Sequence, residues 1–224
     1  MFLVNREFAS SHEIWRMTQT RRTATEPRRR PKQERSRERI DAILATTMRL
    51  IGEKGIDAVT MKEVGALAGG PIATVYHYFP SKSAILAMLY ERFSEESRAR
   101  FGAIIAEISR LDDVTAAADR LLDDYYARVA ADPAIQDLQN AIQADKALQH
   151  LDIAETRQQA KMFCDRVGPM LQAEQREAFG RVVFLIFQLA GGVVRLALTQ
   201  DKEEGRRTID DYRSIIHAQL RLFL

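Results

Sequence analysis

The chain has few of the residues that build covalent or metal-held frameworks. Cys164 is the one cysteine among 224 residues, so no disulfide forms within the chain. A single thiol suits a reducing compartment, and a cytoplasmic location is expected. The four histidines, His12, His77, His150 and His217, show no pairing with one another or with Cys164, so no metal-ligand spacing exists. No glycine-rich loop follows a strand, which removes the usual phosphate cradle. Strand-like alternation is missing, and no segment repeats. Trp15 has no periodic apolar partners. The acidic pairs Asp112-Asp113 and Asp123-Asp124 are adjacent, and neighbours on a helix point in different directions, so they read as solvated faces. Cys164 lies between Phe163 and Asp165-Arg166 with no base placed beside it, which makes it a bystander. The expectation is no catalytic residue, no metal and no cofactor.

Charge of one sign is also short in the total, though not in its distribution. The net charge is +2, yet residues 1–39 hold eleven Lys or Arg against five Asp or Glu. A basic arm on a mildly acidic body fits a protein that grips a polyanion at one end. Residues 18–37 offer almost nothing apolar, so burial cannot offset their ordering entropy. Arg28, Arg29, Arg30 and Lys32 are the residues expected to add phosphate or minor-groove contacts. The opening apolar run ends after Val4 and is too short for a secretory signal. Met17 is the expected natural start; intact-mass analysis of natively expressed protein checks this, and a species retaining Met1 refutes it.

What is abundant is helical periodicity. Hydrophobic residues make up 46% of the chain, enough for a real core. Ile40, Ile43, Leu44, Thr47, Met48 and Ile51 recur at three- and four-residue spacing and predict a helix over Ser36–Lys54, stopped at Gly55. Thr60 and Glu63 stand in capping-box spacing, with Val59 and Val64 as a staple and Leu67 extending the apolar face. Gly69-Gly70 ends that short helix, and Pro71 suits the first position of the next. Ile72–Tyr78 is too short to be stable alone, and Val75 and Phe79 are placed to plug the core beneath it. Two short helices joined by a glycine turn make a helix-turn-helix, whose second helix enters the DNA major groove.

The chemistry of that second helix agrees. Thr74, Tyr76, His77 and Tyr78 carry groups that bond to phosphates or base edges, and Thr60, Lys62 and Lys82 flank them. Ile72 and Ala73 can touch thymine methyls but cannot hydrogen-bond to bases.

Ala68-Gly69 followed by Thr74-Val75-Tyr76-His77-Tyr78-Phe79-Pro80-Ser81-Lys82 resembles the DNA-binding signature of the TetR (tetracycline repressor) family. The motif match runs from Ile40 to Leu86. The resemblance implies an all-helical homodimer, with an N-terminal helix-turn-helix head and a C-terminal ligand-binding and dimerisation domain. The chain departs from the family where Gly70-Pro71 replaces a frequent Val-Ser and Ser83-Ala84 an acidic pair. Both changes leave the operator sequence open.

The expected organisation is a basic arm over 1–35, a head over 36–83 and a helical body over 84–224. Ser81 is placed to cap a long helix that carries Ile85, Leu86, Leu89, Phe93, Phe101, Ile104, Ile105 and Ile108. By the resemblance, this helix transmits ligand state to the head. Further helices are predicted over Val114–Ala131, Ala134–Leu148, Asp152–Leu171 and Thr208–Phe223. Val182–Leu198 is the most apolar stretch, but Gln188 and Arg195 interrupt it, so burial between subunits is expected rather than a membrane.

The expected dimer interface is Phe184, Gln188, Gly191, Gly192, Arg195, Tyr212, Ile215, Ile216 and Leu220. The expected ligand pocket is Phe101, Ile105, Tyr125, Tyr126, Ile142, Phe163 and Phe187. The partners expected are a double-stranded DNA operator, a second copy of the chain and a small-molecule effector. The alternative is a helical dimer with a degenerate head that binds ligand or protein but not DNA.

Overall fold

The computed structural model describes residues 32–224. The expectations for the basic arm and for a start at Met17 fall on residues 1–31 and lie outside this range. Among the described residues there are nine α-helices and no strand. They are α1 Lys32–Lys54, α2 Met61–Leu67, α3 Ile72–Tyr78, α4 Lys82–Ala106, α5 Asp113–Ala131, α6 Pro133–Ala144, α7 Gln149–Val167, α8 Arg176–Thr199 and α9 Lys202–Leu220. Residues 39–224 form one compact unit.

Local chemistry explains most helix ends. Gly55 sits at φ +76°, and its N–H donates to the Ile51 carbonyl at 2.8 Å, closing α1. Thr60 caps α2 by accepting from the Glu63 N–H at 3.3 Å. The Glu63 carboxylate binds the Lys54 ammonium, so the side chain ties α2 to the end of α1. Gly69, at φ +79°, turns the chain toward α3. Pro71 is the N-cap of α3, one place earlier than predicted, because its ψ of 150° is extended and cannot begin the helix. Ser81 caps α4 at the Ala84 N–H, 3.2 Å away. Asp132 caps α6, and Asp201 caps α9 by accepting from the Glu203 and Glu204 N–H groups at 2.9 and 3.0 Å.

Several boundaries differ from expectation: α1 begins at Lys32 rather than Ser36, and α7 runs over Gln149–Val167 rather than Asp152–Leu171. α6 stops at Ala144, because Asp145 accepts from the Ala147 N–H at 2.9 Å and makes a turn where a longer helix was predicted. α9 starts at Lys202 rather than Thr208; the polar first turn hid the cap at Asp201.

Two apolar clusters fill the interior. The first joins Ile43, Leu44 and Ile51 of α1, Val59, Val64, Val75 and Phe79 to Ile85, Leu86, Leu89 and Tyr90 of α4. It also takes in Ala134, Leu138, Ile142 and Leu148 from the α6 region. The second is built from the later part of α4 with α5, α7, α8 and α9, around Phe101, Phe163, Phe179 and Val194. α4 therefore contributes to both. Leu67 corrects the sequence reading: it is 52% exposed, because Val64 and Ala68, four apart, form the buried face of α2. Gly205 brings α9 against α8 so closely that a Cβ there would overlap the Ala197 carbonyl oxygen.

Candidate functional site

The head presents α3 outward. Val75 is fully buried and Phe79 nearly so, which fixes the rotation of the helix. Ile72, Ala73, Tyr76 and His77 are then exposed, and Thr74 and Tyr78 are half-buried. The rings of His77 and Tyr78 meet edge to face with centroids 5.1 Å apart. Thr60 and Lys62 at the start of α2 are also exposed.

Lys82 has a job the sequence did not disclose. Its ammonium donates to the Ile56 and Val59 carbonyls at 3.0 and 3.4 Å, tying the loop before α2 to the first turn of α4. Arg39 lies across the glycine turn and donates to the Ala68 carbonyl. A Cβ at Gly70 would meet its guanidinium, the far end of a flexible side chain.

The body encloses a cavity of about 290 Å³. From α4 it takes Tyr90, Phe93, Ser94, Ser97 and Phe101, which share one helical face. Facing them are Tyr125 and Arg128 of α5, Gln139 and Gln143 of α6, Asp152 and Glu155 of α7, and Phe187, Gln188 and Arg195 of α8. Of the predicted pocket residues, Phe101, Tyr125 and Phe187 line it. Ile105, Tyr126 and Phe163 belong instead to the packed interior of the body, and Ile142 to the head cluster. The reason is rotational: apolar residues at helical spacing face neighbouring helices as readily as a cavity.

A hydrogen-bond hub sits in this wall. Asp152 accepts from the Tyr90 hydroxyl at 2.9 Å, the Gln143 amide at 2.6 Å and the Gln188 amide at 3.0 Å. Burial first, then the Asp152 charge, holds the Tyr90 phenol far above its ordinary pKa. Tyr125 donates to Gln139 at 3.0 Å, and burial pushes its pKa up to about 12. Burial likewise raises the Glu155 carboxyl, which pairs with Arg98. Arg128 stacks over the Phe93 ring at 4.6 Å. Periodicity was silent about Asp152, Gln143 and Ser94; the signal was the polar face running along α4.

The residues expected between subunits divide three ways. Tyr212, Ile216 and Leu220 are buried in the chain's own core, with the Tyr212 hydroxyl donating to the Ile186 carbonyl, so they offer no surface. Phe184 is half-buried against that same core. Gln188, Gly191, Gly192 and Arg195 border the cavity. Ile215 of α9 is 56% exposed, and Leu222, beyond the helix's end at Leu220, is exposed as well. On α8 the exposed residues include Leu185, Leu189, Gly192 and Leu196, a stripe at four- and three-residue spacing of which sequence reading named only Gly192. The segment Ala173–Thr199 is long and apolar enough to cross a membrane by length and composition alone, with mean hydropathy 2.0. Burial raises the thiol pKa of Cys164, which disfavours the thiolate.

Comparisons with known proteins agree with this architecture. The sequence profile of bacterial regulatory proteins of the tetR family matches residues 43–89. The profile of the tetracyclin repressor-like C-terminal domain matches residues 112–224. The HTH-type transcriptional regulator CymR of Pseudomonas putida is 32% identical over 110 residues, 45% of this chain and 52% of that protein. The match thus spans about half of the relative's length. A TetR-family transcriptional regulator from Streptomyces coelicolor superposes with a TM-score of 0.63 at 22% identity, over 83% of this chain and 99% of the other. RolR in complex with resorcinol superposes with a TM-score of 0.59 at 16% identity, over 86% of this chain and 90% of the other. With one profile on the head, another on the body, and a nine-helix fold joining them, the chain belongs to the TetR family of bacterial regulatory proteins.

Proposed function

We propose that this protein is a cytoplasmic, one-component transcriptional repressor. It binds a partly palindromic operator as a homodimer and leaves it when a small molecule enters the cavity of the body. The observation that carries this reading is the double use of α4: its first turns pack the head core through Ile85, Leu86, Leu89 and Tyr90, and its next turns line the cavity. A ligand that shifts those later turns acts on the head through one continuous helix. It thereby favours a head spacing that no longer fits successive major grooves.

In this reading residues 36–83 are the reading head, residues 84–224 the sensing and pairing body, and residues 1–35 a basic arm. Tyr76 and His77 contact bases or phosphates, Ile72 and Ala73 touch thymine methyls, and Thr60, Lys62, Thr74 and Tyr78 hold the backbone. Lys82 supports the same surface by clamping the loop beside it, with any phosphate contact secondary. The exposed leucine stripe of α8, with Ile215 of α9, pairs with its copy in a four-helix interface. That pairing is the role given to this apolar helix in preference to a membrane. No catalytic role is assigned.

The test is fluorescence anisotropy on DNA from upstream of the gene, across a salt series. Affinity should fall linearly on logarithmic axes, by roughly 0.9 of a decade per decade of salt for each phosphate neutralised. Tyr76→Ala or His77→Ala should weaken binding at least tenfold. Leu189→Glu should give a folded monomer with weak DNA affinity. No binding at low salt would favour a ligand-binding module with an idle head.

A further inference from the structure

The cavity wall contains polar atoms that the protein itself leaves unserved. Gln188 Oε1 and Ser94 Oγ are both buried without a hydrogen-bond partner, and both residues line the cavity. The orientation of the Gln188 amide is fixed: its nitrogen donates to Asp152 Oδ2 at 3.0 Å, and an ionised carboxylate only accepts. The oxygen that remains is therefore an acceptor in want of a donor. A molecule that enters the cavity and packs against this oxygen must bring a donor of its own or lose affinity.

The other walls restrict what carries that donor. Phe101 and Phe187 meet edge to face with centroids 5.5 Å apart, and Phe93 and Tyr125 complete an aromatic lining that suits a flat ring. About 290 Å³ lies at the small end for ligand sites, enough for one ring with a short substituent. The lining also holds charges of both signs: Asp152 and Glu155 on one element, Arg128 on a second and Arg195 on a third. Asp152 has three neutral donors and no direct ion-pair partner, so an anion placed at Gln188 meets an uncompensated carboxylate. A cation meets the Arg195 guanidinium, which lies over Gly191 close to the Tyr125 hydroxyl. A ligand without net charge avoids both costs.

We infer that the effector is an uncharged, single-ring compound bearing a hydroxyl group of the phenol class, whose O–H donates to Gln188 Oε1. This deepens the repressor reading and rests on it. Binding at Gln188 bears on Asp152, and Asp152 holds the Tyr90 hydroxyl. Tyr90 belongs to the head's apolar cluster, so the hydroxyl is relayed to the reading head through two hydrogen bonds beyond its own, Gln188 to Asp152 and Tyr90 to Asp152.

The experiment is isothermal titration of the full-length protein with a matched set: 4-ethylphenol, its methyl ether, ethylbenzene, 4-ethylbenzoate and 4-ethylbenzylamine. The phenol should bind at least tenfold more tightly than the ether and the hydrocarbon, and more tightly than either charged compound. Gln188→Met should erase the difference between phenol and ether, and Ser94→Ala, a smaller change, should reduce it. Equal binding of phenol and ether would overturn the inference. So would preference for the carboxylate or the amine, or no binding by any member. DNA affinity measured on the same samples separates the two readings. Protein that binds DNA but ignores the phenol loses only the ligand class; protein that binds the phenol but no DNA loses the repressor.

Discussion

Helices α3 and α8 are both more apolar on one side than solvent requires, yet they resolve that excess in opposite ways. In α3, seven residues long, Val75 and the following Phe79 anchor one face, which leaves Ile72, Ala73, Tyr76 and His77 turned to solvent and Thr74 and Tyr78 half-buried. In α8, twenty-four residues long, apolar side chains go to three places: Val183 and Val194 to the core, Ile186 and Phe187 to the cavity wall, and Leu185 and Leu196 to the outside, with Leu189 half exposed at the cavity's edge. A short helix between a glycine turn and a serine cap has one possible rotation. A long helix, apolar all round, is assigned its faces by its neighbours.

Core truncations test the comparison most severely. Phe79→Ala in the head and Phe163→Ala in the body each remove a ring that is nearly fully buried, and each should cost about 3–5 kcal/mol in urea denaturation followed by circular dichroism. Because α4 supplies both clusters, the two variants should lower one shared transition; a separate early transition confined to the head would break that link. A pair of glycines sharpens the contrast. Gly205→Ala forces a Cβ onto the Ala197 carbonyl and should cost about 1–3 kcal/mol. Gly168→Ala meets nothing within 4 Å beyond its chain neighbours, so it should cost less than Gly205→Ala, its remaining cost coming from Pro169, which disfavours a Cβ before it in this helical conformation. Removing the α2 cap with Thr60→Ala should cost about 1 kcal/mol of thermal or chemical stability. The smallest effect belongs to Leu67→Gln, which should stay within about 0.5 kcal/mol of wild type, because that side chain is half in water.

What could be read from the residues follows the same division. The span of α3, the Thr60 and Ser81 caps, the Gly69 turn and the plugging by Val75 and Phe79 all follow from local chemistry, where the signal and its effect lie within a few positions. Leu67 was misplaced because periodicity offers both the third and the fourth neighbour, and only packing chooses Ala68. In the body, the helical pattern located α5 to within a residue but could not tell core from cavity. Ile105 and Phe163 proved to be core, while Asp152, which gathers Tyr90, Gln143 and Gln188, joins residues up to 62 positions apart. The same holds for the outer stripe of α8. Leu185 and Leu189 differ from their buried neighbours only in what faces them.

The central claim is that two copies of α3 are presented to one duplex. Hydroxyl-radical footprinting on DNA from upstream of the gene tests it most directly. The account predicts two protected patches on related half-sites, separated by about one helical turn or a multiple of it, lost together in Leu189→Glu. A single patch, or a footprint unchanged in that variant, would contradict it.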